Sequence, residues 1–459
     1  MSKQNKIQVI IIFVLLTVLV AMTYFYVTKE KNENDARQMN GQSFEGGSGG
    51  QNKPEGQMPG EQGQQESNVE TKGKLEVNET KTLSNENYIS TNFDESAIVT
   101  TEGANLTLDS ISISKQGDTT NTENSEFYGV NASLLAKSNS TININNSNIQ
   151  TDSKGSNAVF ATGENAKIYI KDTTINTSKD SSRGLDATYG GYIEADNVTI
   201  STKGGSCATL ATDRGEGTVI AKNSNLSTQG SGSPIIYSTG SITLENSKGK
   251  AIGAQNIVIE GKNSATVTNS TLSASGKGNR NNVDNCGVMI YQSMSGDAGE
   301  GTGTFTAKDS TLKIDSDSEY YSSAPFFFIT NTNAVINLEN NNIEYGSNIL
   351  LKAAATTEWG KTGSNGGVVT LNASNQKLVG NIEIDKISEA QINLKNSSSW
   401  EGKINSDNIA KSASLSLDSS SKIKLTGDSY LTTFEDEDSS FNNIDFNGYM
   451  IYVNGEAIK

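Results

Sequence analysis

Apolar and polar positions alternate along short runs of this chain, and the runs come in pairs joined by two polar residues. LTLDSISIS at 106–114, ININNSNIQ at 142–150 and IYIKDTTIN at 168–176 each read as a strand, an Asp/Asn–Ser/Thr/Asn corner and a second strand. The phrase returns from Tyr192 (YIEADNVTIS), Val219 (VIAKNSNLS), Ile242 (ITLENS), Ala265 (ATVTNSTLS), Phe305 (FTAKDSTLKI) and Val335 (VINLENNNIE), with looser copies at 392–399 and 415–425. Anchored on the Asp or Asn of the corner, the copies fall at 109, 146, 172, 196, 223, 246, 269, 309, 340, 396 and 418. From 146 to 269 the steps are 26, 24, 27, 23 and 23 residues. A period of that length belongs to a solenoid.

A third run completes each unit. Roughly 15 residues after the corner comes a short apolar stretch ending in Thr or Ser: AVFATG at 158–163, LDATYG at 185–190, TLATDRG at 209–215, IIYSTG at 235–240, VMIYQS at 288–293 and FFFIT at 326–330. Thr162, Thr188, Thr212 and Thr239 keep the same step. Helical periodicity is absent, and so is the Leu/Asn consensus of leucine-rich repeats. The expected fold is all-β: a right-handed parallel β-helix of about 12–15 rungs, three short strands to a rung. Rungs stacked at ~4.8 Å turn each inward position into a column of like residues, and corner Asn and Ser can bond along the stack. A hydrophobic content of 34% is thin for a globule of 459 residues. A solenoid needs only its inner lining.

The ends break the pattern. Residues 7–27 are almost wholly apolar, long enough to span a bilayer, with Lys3 and Lys6 before them and Tyr24 and Phe25 near the far end. No small-x-small cleavage site stands out, so an uncleaved signal anchor is expected, leaving 1–6 in the cytoplasm and the bulk of the chain outside the cell. Residues 28–73 carry EGGSGGQNKPEGQMPGEQGQQ and read as a flexible Gly/Gln/Glu-rich linker. The β-helix is expected over 74–430 and a C-terminal cap over 431–459.

Composition narrows the chemistry. A net charge of −16 argues against nucleic acid and anionic lipid as partners. Cys207 and Cys286 both open third strands, two rungs lying between theirs, about 14 Å apart and beyond disulfide reach. They read as buried small residues. With no histidine, the Gly-His-Gly signature of polygalacturonase-like enzymes cannot be present. The nearest approach to a catalytic constellation is Asp186, Asp213 and Arg214, whose carboxylates fall on adjacent rungs. The plainer reading is a turn in which Asp213 and Arg214 form a surface ion pair. No cofactor is called for; calcium alone is left open, at the acidic runs 315–319 and 435–438, which lack EF-hand spacing.

Aromatic residues give the stronger lead, because sugar rings stack their C–H faces on them. Tyr189, Tyr192, Tyr237, Tyr291, Tyr320, Tyr321, Trp359 and Trp400 fall mainly on or beside the third strand. The connections 275–286, 315–325 and 352–367 are long and are expected near one edge of the solenoid. The binding candidates are therefore Tyr189, Asp213, Arg214, Tyr237, Tyr291, Gln292 and Trp359.

ATDRGEGTV at 211–219, SPIIYSTGSI at 233–242, GVMIYQSMSGDA at 287–298 and WGKTGSNGGVVTL at 359–371 carry a resemblance to the adhesin-like right-handed β-helix proteins of bacterial and archaeal cell surfaces, non-catalytic members of the pectate-lyase-like fold class. The chain also resembles β-helix carbohydrate-binding modules. The resemblance covers about 100–430 and implies adhesion to an extracellular polysaccharide, a cell-surface glycan or a neighbouring surface, without catalysis. A β-helix lyase or glycosidase and a purely structural stalk are the alternatives.

Overall fold

The computed structural model describes residues 69–278 and 285–458. The expected anchor at 7–27, nearly all of the linker and Arg280 lie outside them. Among the described residues no helix is long and apolar enough to cross a membrane.

Strands follow one another in a fixed order, one on each of three faces, and each pairs in parallel with the strand one rung on. Face A holds 12 strands from Lys72–Val77 to Asn381–Ile384, face B 14 from Lys81–Ser84 to Thr433–Asp436, and face C 10 from Asn87–Ser90 to Asn342–Glu344. A four-stranded sheet, Lys377–Val379, Ser399–Gly402, Lys422–Leu425 and Ile444–Asp445, follows face C in chain order. The antiparallel pair Ile451–Val453 and Glu456–Ala457 joins Ser429–Leu431 in a small three-stranded sheet. Such an order is that of a parallel β-helix, and it follows from the sequence period: an apolar residue at every second strand position faces in, and equivalent residues stack.

The core is those stacks. On face B, Ile142, Ile168, Ile193, Val219 and Ile242 lie in register and are buried. On face C, Ile113, Ile149, Ile175, Ile200 and Leu226 do the same. Where Ala265 thins the face-B column, Phe305 follows on the next rung, its ring 6.1 Å from that of Phe327.

The B-to-C corner is the period marker. One residue there is left-handed on rung after rung: Asn85, Ser110, Asn146, Asp172, Asn197, Asn223, Asn246, Asn269, Asp309, Asn340, Asn375 and Asn396. Asn and Asp tolerate this conformation better than other side chains. The anchor is therefore Ser110 and Asn197 rather than Asp109 and Asp196, and Asn85 and Asn375 join it. Beside it runs a hydrogen-bonded ladder. The Ser224 amide donates to Ser247 Oγ (2.9 Å), Ser247 to Ser270 (3.0 Å), Ser270 to Ser310 (3.1 Å) and Ser310 to Asn341 Oδ1 (3.0 Å).

Both cysteines are buried thiols. Cys207 stands in a serine ladder at the C-to-A turn: Ser182 donates its amide to Cys207 Sγ (3.1 Å), and Cys207 donates its own to Ser233 Oγ (2.9 Å).

The three faces differ outside. On face B burial alternates strictly, as in Tyr192–Asp196, so its outer side is open. On face A the strands Val159–Thr162, Leu185–Thr188, Ile257–Glu260, Val288–Tyr291 and Phe327–Thr330 are buried at every position. Something covers their outer side.

Candidate functional site

Three connections roof face A. The first, 116–133 between faces C and A, contains helix α1 (Thr122–Tyr128), started by Asn121, whose side chain accepts from the Asn124 amide, and ended by left-handed Gly129. The second and third, 292–301 and 354–366, run from A to B. The described long connections thus flank face A on both sides rather than crowding one edge: 315–325 enters it and 354–366 leaves it, while 279–284 of the connection expected at 275–286 lie outside the described residues.

Register sets which side chains lie beneath the roof. One outward column of face A runs Phe160, Asp186, Ala211, Tyr237, Val258, Met289, Phe328. The other includes Thr162 and Thr188 in register, with Asp213 directly after Thr212, and further along Glu260, Tyr291 and Thr330. Asp186 and Asp213 are therefore neighbours, as their spacing predicts, and both are buried.

They do not form an open acid–base pair. Arg183, in the turn just before the Asp186 strand, lies between them, with Nη1 2.8 Å from Asp186 Oδ2 and Nη2 2.9 Å from Asp213 Oδ2. Nη2 is also 4.0 Å from Glu126 Oε1 on α1. Burial pushes the Asp186 carboxyl up to about 6 against the pull of Arg183. It pushes Asp213 well above the carboxylate range, helped by Asp186 and Glu126 nearby and opposed by Arg183. Glu126 is raised for the same reason. Asp186 Oδ1 is buried with no hydrogen-bond partner.

Arg214 goes elsewhere. Its Nη2 reaches Asp297 Oδ1 (2.5 Å) in the 292–301 connection, and its guanidinium lies 3.9 Å from the Phe127 ring centre. The surface ion pair expected between Asp213 and Arg214 is replaced by two pairs, each with a partner distant in sequence or outside the motif. Arg214 ties two roof segments together, and Thr188 Oγ1 holds α1 to the sheet by donating to the Phe127 carbonyl (2.9 Å).

The aromatic candidates divide. Tyr189 stacks on Tyr128 of α1, centroids 5.4 Å apart and planes 4° from parallel. The Tyr237 and Tyr291 hydroxyls both donate to Glu260 Oε2 (2.9 and 2.8 Å), and the Ser293 amide donates to Oε1 (3.3 Å). Burial raises the Glu260 carboxyl, and these three bonds oppose the rise. Trp359, in the 354–366 connection, packs on Tyr291 at 4.6 Å. Gln292 donates to the carbonyls of Ser293 and Ala298 (both 3.2 Å), bracing the 292–301 connection. All seven candidates thus gather on the outer side of face A or its roof.

Other aromatics fall away. Trp400 is in the core, 1% exposed, its Nε1 donating to the Gly380 carbonyl (2.8 Å). Tyr192 opens a face-B strand beside Tyr169. Tyr320 and Tyr321 pack against the main core at the turn before Phe327–Thr330. Sequence reasoning missed the parts played by Arg183, Glu126, Glu260 and Asp297. It also missed Lys115, a fully buried lysine that donates to the carbonyls of Asn92 (2.9 Å) and Gly117, its ammonium pulled down to about 8 by burial. Among the described residues no group of three or more acidic, Cys or His side chains is arranged to hold a metal ion.

Comparison with protein-family models, with curated proteins and with solved structures returns no match.

Proposed function

We propose that the chain is a membrane-anchored cell-surface β-helix, right-handed as parallel crossovers overwhelmingly are, that adheres to an extended polysaccharide along the outer side of face A without cleaving it. The observation that carries this reading is the aromatic row. Tyr189, Tyr237 and Tyr291 recur at every second rung, a spacing of ~10 Å, comparable to a disaccharide unit in an extended pyranose chain. Tyr291 is buried and Tyr237 half-buried beneath the roof, so half-buried Tyr189 and Trp359 are the rings from which contact starts. Tyr128 and Trp359 widen the row at its two ends.

The catalytic alternative has less support. General acid–base work needs two carboxyls that reach the substrate, whereas Asp186 and Asp213 are occupied by one guanidinium beneath α1. The anchor and its extracellular orientation rest on residues 7–27 of the sequence.

The test is retention of the full chain on insoluble polysaccharides. Trp359→Ala and Tyr189→Ala are expected to lower retention several-fold while far-UV circular dichroism stays native. Undiminished retention in both variants would remove this surface from consideration.

A further inference from the structure

We propose that helix α1 is a proton-controlled latch on face A: it closes while the acidic side chains around Arg183 hold their protons, and lifts from the sheet when they lose them. The latch is a property of the fold; that its opening uncovers a ligand site rests on the polysaccharide reading above.

The argument starts from a charge imbalance. Three carboxyls, Glu126 from the helix and Asp186 and Asp213 from the sheet, converge on the single guanidinium of Arg183, and all four side chains are buried. The remaining charged groups nearby do not redress it. Arg214 is committed to Asp297 of the 292–301 connection, and Glu123 adds negative charge on α1. The Tyr237 hydroxyl, the Glu260 carboxyl and the buried Cys207 thiol face the cluster from face A and the turn before it, none of them a cation. One guanidinium cannot offset three buried negative charges, so protons must neutralise the excess. Desolvation raises all three carboxyls in the closed state. The unpartnered Asp186 Oδ1 marks where the cluster is least satisfied.

The sign follows from linkage. The closed state binds protons more tightly than an open, hydrated one, so closure is favoured at acid pH. It weakens as pH rises from the ordinary carboxylate range near 4 through the raised values. The helix, rather than the whole solenoid, is where the strain is released. It has only seven residues; besides the bonds of Ser125 to the Gly155 carbonyl and from the Asn157 side chain (3.3 Å), its holds include the Thr188–Phe127 bond, the Tyr128–Tyr189 stack and the Arg214–Phe127 contact. The rungs below are joined by continuous ladders, and local opening takes the least stable unit first.

Hydrogen exchange of the full chain from pH 5.5 to 8.5, corrected for intrinsic amide rates, tests the latch. Protection of amides 122–131 is expected to fall by about tenfold for each proton released per pH unit, while face-B strands keep theirs. In Asp213→Asn the fall is expected to flatten. Should that variant fail to fold by circular dichroism, Glu126→Gln reads the same quantity from the helix side. Protection that stays constant across the range, or falls equally in the variant, overturns the proposal. No ligand enters this experiment, so it can fail while polysaccharide retention stands, and the reverse.

Discussion

The outer sides of faces A and B are built from strands of the same rungs, yet they obey different rules. On face B the central outward column from Ile220 through Thr243, Thr266, Thr306, Asn337, Asn372 and Asn393 to Ser416 contains no charge, lies open, and repeats with little change. On face A the equivalent positions hold Asp186, Met289 and Phe328, buried, and Tyr237, half-buried, all beneath three connections, and they differ from rung to rung. Repetition is what stacking alone requires. Departure from repetition, with buried charge that stacking does not need, marks the place where the fold carries something besides itself.

The largest expected break in this contrast comes from Arg183→Met. Removing the guanidinium leaves Glu126, Asp186 and Asp213 with no counter-charge and should cost about 3–5 kcal/mol in denaturant unfolding. A cost under 1 kcal/mol would mean that the guanidinium offsets no buried charge and the cluster holds nothing. The second effect is on pH dependence. Because burial raises the Asp186 carboxyl to about 6 and the Asp213 carboxyl likewise upward, the folded chain takes up protons between pH 8 and pH 5 that the unfolded chain does not, and stability should increase by about 1–2 kcal/mol over that range. That gain should shrink in an Asp186→Asn, Asp213→Asn double variant. A flat profile in the native chain would show that burial does not shift these groups.

Ser247→Ala tests the stacking side. It deletes a hydroxyl that accepts from the Ser224 amide and donates to the Glu245 carbonyl (2.6 Å), and should cost about 1 kcal/mol. The smallest effect belongs to face B: Thr306→Lys, on an open outward position, should change stability by no more than about 0.5 kcal/mol. A larger loss would show that the uncharged column matters to the fold itself.

The period, the three strands per unit and the corner were legible because they are local. Alternation and an αL-tolerant Asn can be read within ten residues of each other, and the slips at two corners, Asp109 for Ser110 and Asp196 for Asn197, are each of a single position. The covering of face A also left a trace, since FFFIT and VMIY are continuous apolar runs where the face-B strands alternate; a strand buried on both sides reads that way. The site was legible only as a set of candidates. That Asp297 takes Arg214 from 83 residues away, or that a helix in an earlier rung brings Glu126 to Arg183, depends on how long connections fold back. No period encodes that. Trp400 misled for a related reason: its strand, Ser399–Gly402, belongs to the short sheet that follows face C, where its position points inward.

The most direct test of the central claim, that face A binds a polysaccharide and does not cut it, uses the full chain on a panel of soluble and insoluble polysaccharides, with bound protein and released sugar scored in the same tubes. Three proteins are compared: the native chain, a Tyr189→Ala, Trp359→Ala variant, and a Thr243→Glu, Thr306→Glu variant of face B. The account predicts retention without released sugar, lost in the first variant and kept in the second. Released sugar that disappears in Asp213→Ala, or retention lost only when face B is charged, would contradict it.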